Sequence, residues 1–497
     1  MDAIHFLILG FNTTLTVDNL LACFMGVMIG TFIGVLPGLG PTATMAILLP
    51  LTFPMGPTSA IIMLAGIYYG AQYGGSTTSI LVNIPGEIGS IVTCLDGYQM
   101  ARKGRAGPAL GMSAMGSFIG GTLSVVGLMV LTPPLGKLAA GFGPPELFSF
   151  IILGLMMVSS FGGGSLMKSL IMATLGLFVS TIGRESMKGF SRFTLGSFTL
   201  SDGVGLVPVA VGMFGISELL ANIEILQERE VFKTRLRNLF PTLDDWRMCF
   251  WPIIRGTMVG FFLGIIPGAG TLITTFFSYA IEKRLSKHPE KFGTGTIEGV
   301  AAPETANNAS TSGSMVPLLA LGVPPHTVMA MLLGAFMIHG IQPGPYFVTD
   351  HPKLFWGLIA SMYLGNAFLL ILNLPLIGMW IQILRIPFRL LFPLIVIFCF
   401  IGVYSVNNNF YELLIMILFG VIFYVLRKIE YEPGPFILAM ILGPMMETNF
   451  RQSLTISRGD LAIFYQRPFS AFFLVIVCAI LVISLLFKGK DSTKMVA

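Results

Sequence analysis

The chain has 497 residues, of which 54% are hydrophobic and 11% charged, and its formal net charge is +5. Soluble domains carry about 25% charged residues, so this composition excludes an ordinary soluble protein and indicates an integral membrane protein in a lipid bilayer. The basic residues lie in short loops between apolar runs, as in cytoplasmic loops, and they do not predict a nucleic-acid partner.

Long apolar runs recur along the chain, for example at residues 123–131, 355–372, 413–426 and 471–487. At about 20 residues per membrane crossing, the sequence has room for roughly ten to twelve helices. The sequence lacks the alternating pattern of a membrane barrel. We therefore predict an all-α integral membrane fold, a polytopic helical bundle.

The first helical pattern is interrupted by proline and glycine, and the interruption recurs in the second half. The segment GVMIGTFIGVLPGLG from Gly26 aligns without gaps on GTMVGFFLGIIPGAG from Gly256, 230 positions later. Glycine and proline at matching positions identify an internal repeat. The predicted helix-breaking residues of this pair of interruptions are Pro37, Gly40, Pro267 and Gly270.

A second interruption follows in each copy, in YGGSTTSILVNIPG and in NNASTSGSMVPLLALGVPP. The cores of these segments, residues 74–79 and 307–314, consist of Gly, Ala, Ser, Thr and Asn, and Pro85 and Pro324 follow as further helix breaks. Small polar residues suit the tip of a re-entrant hairpin, so we predict hairpins and a binding site at both cores. Tight helix packing through small residues is the alternative.

Packing is the favoured role for the glycines that precede the first interruption. Gly26, Gly30 and Gly34 follow the GxxxG spacing, which lets two helix backbones approach closely.

Loop charge predicts that the two copies have opposite orientations in the membrane. The segment ARKGRAG is basic, whereas its counterpart IQPGPYFVTDHPK is not, and three of four such comparisons favour opposite sides. The predicted organisation is a first repeat at 1–222, a charged linker at 223–250, a second repeat at 251–450, and a C-terminal helix with a basic tail at 451–497. Inverted repeats with broken helices are typical of secondary transporters.

The predicted site residues come from these interruptions. Substrate contacts are expected from Gly74, Gly75, Ser76, Thr77, Asn307, Asn308, Ser310 and Thr311. Half-helices starting near Ser76 and Ser310 would present free N–H groups, which favour an anion. Ion binding is expected from Thr78, Ser79, Ser312, Glu304, Gly38 and Gly268.

Glu304 is the acid next to the second core, and an acid inside a membrane is a functional candidate. It could bind a cation, carry a proton or cap a broken helix. The sequence indicates sodium as the coupling ion and leaves a proton open. Glu87 and Asp96 are expected near a loop, because Arg102 and Arg105 follow closely.

No enzyme, cofactor or metal site is predicted. GxSxG and HExxH are absent from the sequence, and Met167 in GGGSLMKS stands where a phosphate loop requires glycine. The five cysteines are scattered without a CxxC pair, which indicates neither a disulfide framework nor a zinc site.

Several long motifs closely resemble a known transporter family. They are GVLPGLGPTATMAILLP, YGGSTTSILVNIPG, DGYQMARKGRAGPALG, FGPPELFSFIILGL, APETANNASTSG with PLLALGVP, and PGPFILAMILGPMMETNFRQSL. The family is the large membrane subunit, TctA, of the bacterial tripartite tricarboxylate transporters, and the resemblance extends from about residue 18 to 468.

This resemblance implies a location in the bacterial inner membrane and two protein partners, a small four-helix membrane subunit and a periplasmic substrate-binding protein. It implies import of a carboxylate such as citrate, driven by an ion gradient and by an elevator-like motion, with hairpin tips that hold substrate and sodium. The first core lacks the asparagine of such tips, so its ligand residues do not transfer directly. An autonomous carrier and an anion channel remain as alternatives.

Overall fold

We describe the chain from a computed structural model. The described residues are 3–36, 39–161, 165–185, 189–197, 199–224, 239–383 and 388–486. Two predicted site residues, Pro37 and Gly38, lie outside them, as do residues 225–238, half of the predicted linker.

The helices up to the linker are α1 (Ala3–Thr14), α2 (Val17–Val35), α3 (Pro41–Leu48), α4 (Pro57–Val82), α5 (Thr93–Arg102), α6 (Ala106–Ala139), α7 (Pro144–Phe161), α8 (Leu166–Ser180), α9 (Leu206–Ala210) and α10 (Ser217–Glu224). Two short strands, β1 (Gly183–Arg184) and β2 (Ser191–Arg192), pair antiparallel. A π-helical segment, Val211–Ile216, joins α9 to α10, and short 3-10 turns lie at Leu49–Thr52, Ile88–Ile91, Thr199–Asp202 and Pro289–Lys291.

The helices after the linker are α11 (Leu243–Ile265), α12 (Gly270–Leu285), α13 (Glu298–Leu321), α14 (Thr327–Ile338), α15 (Phe347–Asp350), α16 (Pro352–Asn373), α17 (Ile377–Ile383), α18 (Phe388–Asn407), α19 (Phe410–Lys428), α20 (Gly434–Ile456), α21 (Ile463–Gln466) and α22 (Pro468–Leu486).

The helical composition agrees with the predicted membrane class. In the part of the chain that the structure describes, seven helical spans are long and apolar enough to cross a membrane, and five further apolar helices are shorter, at 10–17 residues. The longer helices α4 and α13 have most of their residues buried, because they form the interior of the bundle. The predicted total of ten to twelve crossings and the inverted orientation of the repeats stay predictions.

Two helix pairs form the centre of the bundle, α2 with α4 and α11 with α13. A Cβ atom on Gly30 would lie 2.4 Å from the Ile67 carbonyl oxygen of α4, and one on Gly260 would lie 2.3 Å from the Ala306 carbonyl oxygen of α13. Only glycine permits such backbone contact. The GxxxG glycines before the first interruption therefore serve helix packing, as the spacing indicated.

Both central helices end in a left-handed residue followed by proline. Asn83 ends α4 with φ 59°, and Gly322 ends α13 with φ 72°. Pro85 and Pro324 come two residues later, where the chain leaves the helix. The other interruption is a turn in which Gly268 has φ +83°, Pro267 lies between α11 and α12, and Gly270 begins α12.

The prediction that the two polar cores form hairpin tips is wrong, because both cores lie inside continuous helices. Residues 74–79 belong to α4, and residues 307–314 belong to α13. Their hydroxyl groups are satisfied without a break: Ser79 donates to the Gly75 carbonyl at 3.1 Å, and Ser314 donates to the Thr311 carbonyl at 2.8 Å. No half-helix begins at Ser76 or Ser310, so free N–H groups are not located there.

A buried carboxylate joins the first part of the chain to the second. Asp96 of α5 accepts hydrogen bonds from the backbone N–H groups of Gly293, Gly295 and Thr296, at 2.7–3.0 Å. The hydroxyl of Tyr279 donates to the same carboxylate at 2.8 Å. Asp96 is thus fully buried and fixes the loop before α13. It lies near a loop, as predicted, but that loop belongs to the second part of the chain.

Candidate functional site

The helix interruptions meet at one cavity of about 720 Å³. Its lining includes residues 40–43 at the start of α3, 85–88 after α4, 268–273 at the start of α12 and 325–328 at the start of α14. The backbone N–H of Gly268 donates to the Pro325 carbonyl at 2.9 Å, which ties two of these interruptions together. Residues far apart in the sequence therefore form one polar wall.

Three helices begin at this wall with no side-chain hydrogen bond at their N-caps. They are α3 after Gly40, α12 after Ala269, and α14 after His326. The first N–H groups of a helix lack intrahelical acceptors, and the helix dipole is positive at this end. The wall can thus receive an anion on backbone N–H groups without a dense cluster of cationic side chains.

The rest of the lining is largely apolar and includes one ion pair. Val158, Phe161, Met213, Phe214 and Phe423 contribute apolar surface. In this ion pair both guanidinium NH2 groups of the α19 arginine, Arg427, donate to the carboxylate of Glu218.

Glu432 also lines the cavity, in the connection between α19 and α20. Burial raises the pKa of its carboxyl above the ordinary value. Next to α14, the Tyr68 hydroxyl lies 3.3 Å from Nε2 of His326.

Behind the polar wall, Glu304 is buried where helices from both parts of the chain meet. Hydroxyl groups from three helices donate to its carboxylate: Ser76 of α4, Thr93 of α5, and Ser113 of α6, the last at 3.1 Å. The side chain is 1% exposed, and no salt bridge among the described residues includes it. A buried carboxylate without a cationic partner is costly as an anion and is a functional candidate.

The next turn of α13 connects this interior to the cavity wall. The side-chain amide of Asn307 donates to Glu87 at 2.7 Å, and Glu87 lines the cavity. Glu87 also accepts from the Gly89 N–H at 2.8 Å and caps the short 3-10 turn that follows. Asn307 therefore binds the carboxylate at the wall and lies one turn along α13 from the carboxylate in the interior.

Further polar contacts bind α13 to its neighbours. Thr311 donates to Oε1 of Gln72 at 2.6 Å, which links α13 to α4. Asn308 donates to the Ser117 hydroxyl at 2.7 Å, and Ser124 donates to Ser312 at 2.9 Å, so α6 is linked as well.

The structure divides the predicted site residues that it describes into two groups, apart from Pro267 and Pro324, which lie at helix breaks outside the cavity lining. Gly40, Pro85, Gly268 and Gly270 line the cavity. The eight predicted substrate contacts and Thr78, Ser79, Ser312 and Glu304 lie in the helix interiors of α4 and α13 and do not line this cavity.

The residues of the first core have distinct local roles. Gly74 packs against the Thr31 carbonyl of α2, and Gly75 contacts the side chain of Glu87. Thr78 donates to the Val35 carbonyl at 3.0 Å, Thr77 is buried, and Ser310 of the second core donates to the Asn307 carbonyl at 2.6 Å. A direct role of these cores in substrate binding stays a prediction.

Sequence patterns missed several partners of this interior. Four of them lie outside the two cores, and only the fold brings Thr93 and Ser113 to Glu304, Ser117 to Asn308, and Gln72 to Thr311. The sequence did carry a signal for Gln72, because it is a polar residue in a largely apolar run two positions before the first core. The structure buries it fully. Within the described ranges, no group of three or more His, Cys, Asp or Glu residues could hold a metal ion.

A bundle of apolar helices that encloses carboxylates, hydroxyls and a cavity at its interruptions is a multi-pass membrane protein with a polar interior. Such an interior is typical of proteins that move a polar solute across the bilayer.

The chain belongs to the Tripartite tricarboxylate transporter TctA family, whose model matches residues 20–438. Membership implies that it is one subunit of a tripartite transporter.

Two relatives from Agrobacterium vitis extend the similarity. The chain is 50% identical over 486 residues to an uncharacterized 52.8 kDa protein in the TAR-I ttuC' 3' region, a match that covers 98% of this chain and 97% of that protein. It is 51% identical over 224 residues to an uncharacterized protein in the TAR-II ttuC' 3' region, covering 45% of this chain and 93% of that protein. No solved structure matches the chain.

Proposed function

We propose that the chain is the membrane-embedded permease subunit of a binding-protein-dependent secondary transporter in the bacterial inner membrane. It imports a carboxylate, such as citrate or a related organic acid, and a sodium or proton gradient drives the import. Its partners are a periplasmic substrate-binding protein and a small four-helix membrane subunit, and its work is transport rather than catalysis.

The observation that carries this proposal is the meeting of the helix interruptions at one cavity. Three uncapped helix N-termini at its wall supply N–H groups for an anionic group. A volume of about 720 Å³ is within the range of sites for small molecules, roughly 300–1,000 Å³. Family membership supports a carboxylate as that anion.

The polar contacts between the two parts of the chain support a moving unit. Asp96 and Asn307 connect α5 and the break after α4 to the loop before α13 and to α13 itself. Elements tied in this way would move together, so we propose that they belong to the unit that carries substrate in an elevator-like motion. The two repeats would supply matching halves of that unit.

Uptake by reconstituted vesicles tests the function. We expect proteoliposomes with this chain, the small subunit and the external binding protein to accumulate a labelled carboxylate in a saturable way under an imposed ion gradient. Saturable uptake without the binding protein would favour an autonomous carrier, and linear, non-saturating flux would favour a channel.

A matched pair of glycine variants tests the cavity. Gly40 and Gly56 both precede a helix, and a Cβ atom on either would meet nothing within 4 Å. Gly40 lines the cavity and Gly56 does not. Gly40→Phe should therefore abolish uptake and Gly56→Phe should preserve it, whereas equal activity of the two variants would contradict this location of the substrate.

A further inference from the structure

Glu304 differs from the other buried carboxylate, Glu87, in the chemistry of its partners. Glu87 accepts from a backbone N–H and from the Asn307 amide, and these groups can only donate. Glu304 is contacted by three hydroxyls, each of which can donate or accept. The partners of Glu87 thus favour its carboxylate form alone, while those of Glu304 can satisfy either protonation state.

Ser76 has the second acceptor that such an exchange requires. Its hydroxyl lies 3.1 Å from the Gln72 carbonyl oxygen, as well as in contact with the Glu304 carboxylate. With Glu304 ionised, Ser76 donates to the carboxylate. With Glu304 protonated, the new carboxyl O–H donates to the Ser76 oxygen, and Ser76 turns its own hydrogen to Gln72. The hydrogen bonds are kept in both states.

Among the residues that the structure describes, none supplies a positive charge that pairs with Glu304. The titratable groups that interact electrostatically with Glu304 are Tyr73 on α4, Cys94 on α5 and Glu87 at the break after α4, and none of them is a cation. On α11, which packs against α13, Arg255 is bound by Glu282 of α12. The hydroxyl of Tyr73 is buried and has no hydrogen-bond partner.

The hydroxyls of Ser76 and Thr93 contact the carboxylate directly. We propose that Glu304 binds and releases the coupling proton of transport. One O–H bond forms at the carboxylate when a proton enters, and the same bond breaks when the proton leaves on the other side.

Asn307 conveys this change to the substrate site, because it lies one turn along α13 and binds Glu87 at the cavity wall. Glu304 is buried away from the cavity, so it acts on substrate through position and charge and not through contact. The inference rests on the proposed carboxylate import.

Glu304→Gln separates proton coupling from transport as such. The glutamine keeps the size of the side chain but cannot bind and release a proton. In vesicles of the complete complex without sodium, we expect the wild type to accumulate carboxylate under a pH gradient and to carry protons inward. The variant should exchange internal for external substrate at near wild-type rate, yet lose accumulation driven by the gradient.

Glu146→Gln is the matched control. Glu146 is also buried, at 4% exposure, and its carboxylate accepts from the Gly143 N–H at 2.9 Å, away from the interior of α13. It should retain accumulation. Gradient-driven accumulation by Glu304→Gln at the wild-type level would overturn the inference.

Two measurements cover a variant that does not fold. Ser76→Ala removes the hydroxyl with two acceptors, and we expect it to shift the pH midpoint of uptake; an unchanged pH profile would overturn the proposal. In the wild type, carboxylate uptake that follows sodium with no proton entry would overturn it as well. Absence of any carboxylate uptake by the wild-type complex would instead contradict the proposed function.

Discussion

Asn307 of α13 donates its side-chain amide to Glu87, which lies beyond the end of α4, over 2.7 Å. The two residues are 220 positions apart in the chain, and each belongs to a different predicted repeat. Glu87 faces the cavity, whereas Asn307 is fully buried. This contact makes the cavity wall of one repeat depend on the interior helix of the other.

Removal of the Asn307 amide should weaken both the fold and transport. Asn307→Ala leaves a buried carboxylate oxygen without its donor, and an unsatisfied buried group costs about 1–3 kcal/mol or more when charged. We expect lower thermal stability in detergent and strongly reduced uptake.

Asn373→Ala provides the comparison for this variant. Asn373 is also buried, but its amide donates at 2.9 Å to Leu369 within the same helix. Uptake should survive this change. Equal loss in both variants would indicate that any buried asparagine matters and that the Glu87 contact has no special role.

Asp96 should be among the strongest stabilising residues of the chain. Asp96→Ala leaves the three N–H groups of the loop before α13 without their acceptor. At about 1 kcal/mol for each unpaired donor, the loss is at least about 3 kcal/mol. Thermal unfolding and protease cleavage in this loop measure it, and Asp244→Ala, at an exposed acid, should change neither. A stable, protease-resistant Asp96→Ala protein would contradict the prediction.

The close helix pairs should not tolerate even a methyl group. Alanine has a better helix propensity than glycine by about 1 kcal/mol, so stability rises unless packing opposes it. At Gly30 and Gly260 the new Cβ atom would meet a backbone carbonyl at 2.4 and 2.3 Å, and such overpacking costs about 1–3 kcal/mol.

We therefore expect Gly30→Ala and Gly260→Ala to lower the melting temperature and Gly56→Ala, in open space, to leave it nearly unchanged. A raised melting temperature for the first two variants would show that the helices separate easily.

Glu432 should oppose an anionic substrate, and more strongly at higher pH. Burial raises the pKa of its carboxyl, so this group becomes ionised at a higher pH than an exposed glutamate does. Two like charges about 4 Å apart in a hydrated site repel by about 1 kcal/mol. Glu432→Gln should thus lower KM for carboxylate uptake by up to about fivefold, with the larger effect at high pH, where the wild-type carboxyl is ionised.

Glu430→Gln controls for the loss of a nearby charge, because Glu430 is exposed and lies outside the cavity lining. It should leave KM unchanged. If the ratio of the KM of Glu432→Gln to that of the wild type is the same at low and high pH, the electrostatic explanation is contradicted.

The sequence predicted where the helices are interrupted and less well what lies between the interruptions. Proline and glycine disrupt helices through local backbone properties, so Pro267, Pro85 and Pro324 could be placed from their own neighbourhoods. The polar cores could not be placed in this way, because the same small polar residues occur both inside helices and at hairpin tips. Donation to carbonyls of the same helix decides between them, as for Ser79 and Ser314.

Partner identity was beyond sequence patterns for a different reason. Glu304 meets hydroxyls from α4, α5 and α6, and the positions of Thr93 and Ser113 carry no motif. Asp96 looked like a residue near a loop, yet the loop it binds is in the second part of the chain. Such contacts depend on how helices cross, which local propensity does not specify.

The Asp96 contact also has a consequence for biosynthesis. The carboxylate leaves the ribosome 197 residues before Gly293, its first backbone partner, is translated. Until then the carboxylate lacks these backbone N–H donors. Because burial of an acid without donors is costly, α5 is expected to be buried late. The bundle would therefore close late in translation, and an N-terminal fragment expressed alone would require the remaining chain, supplied separately, to reach a protease-resistant state.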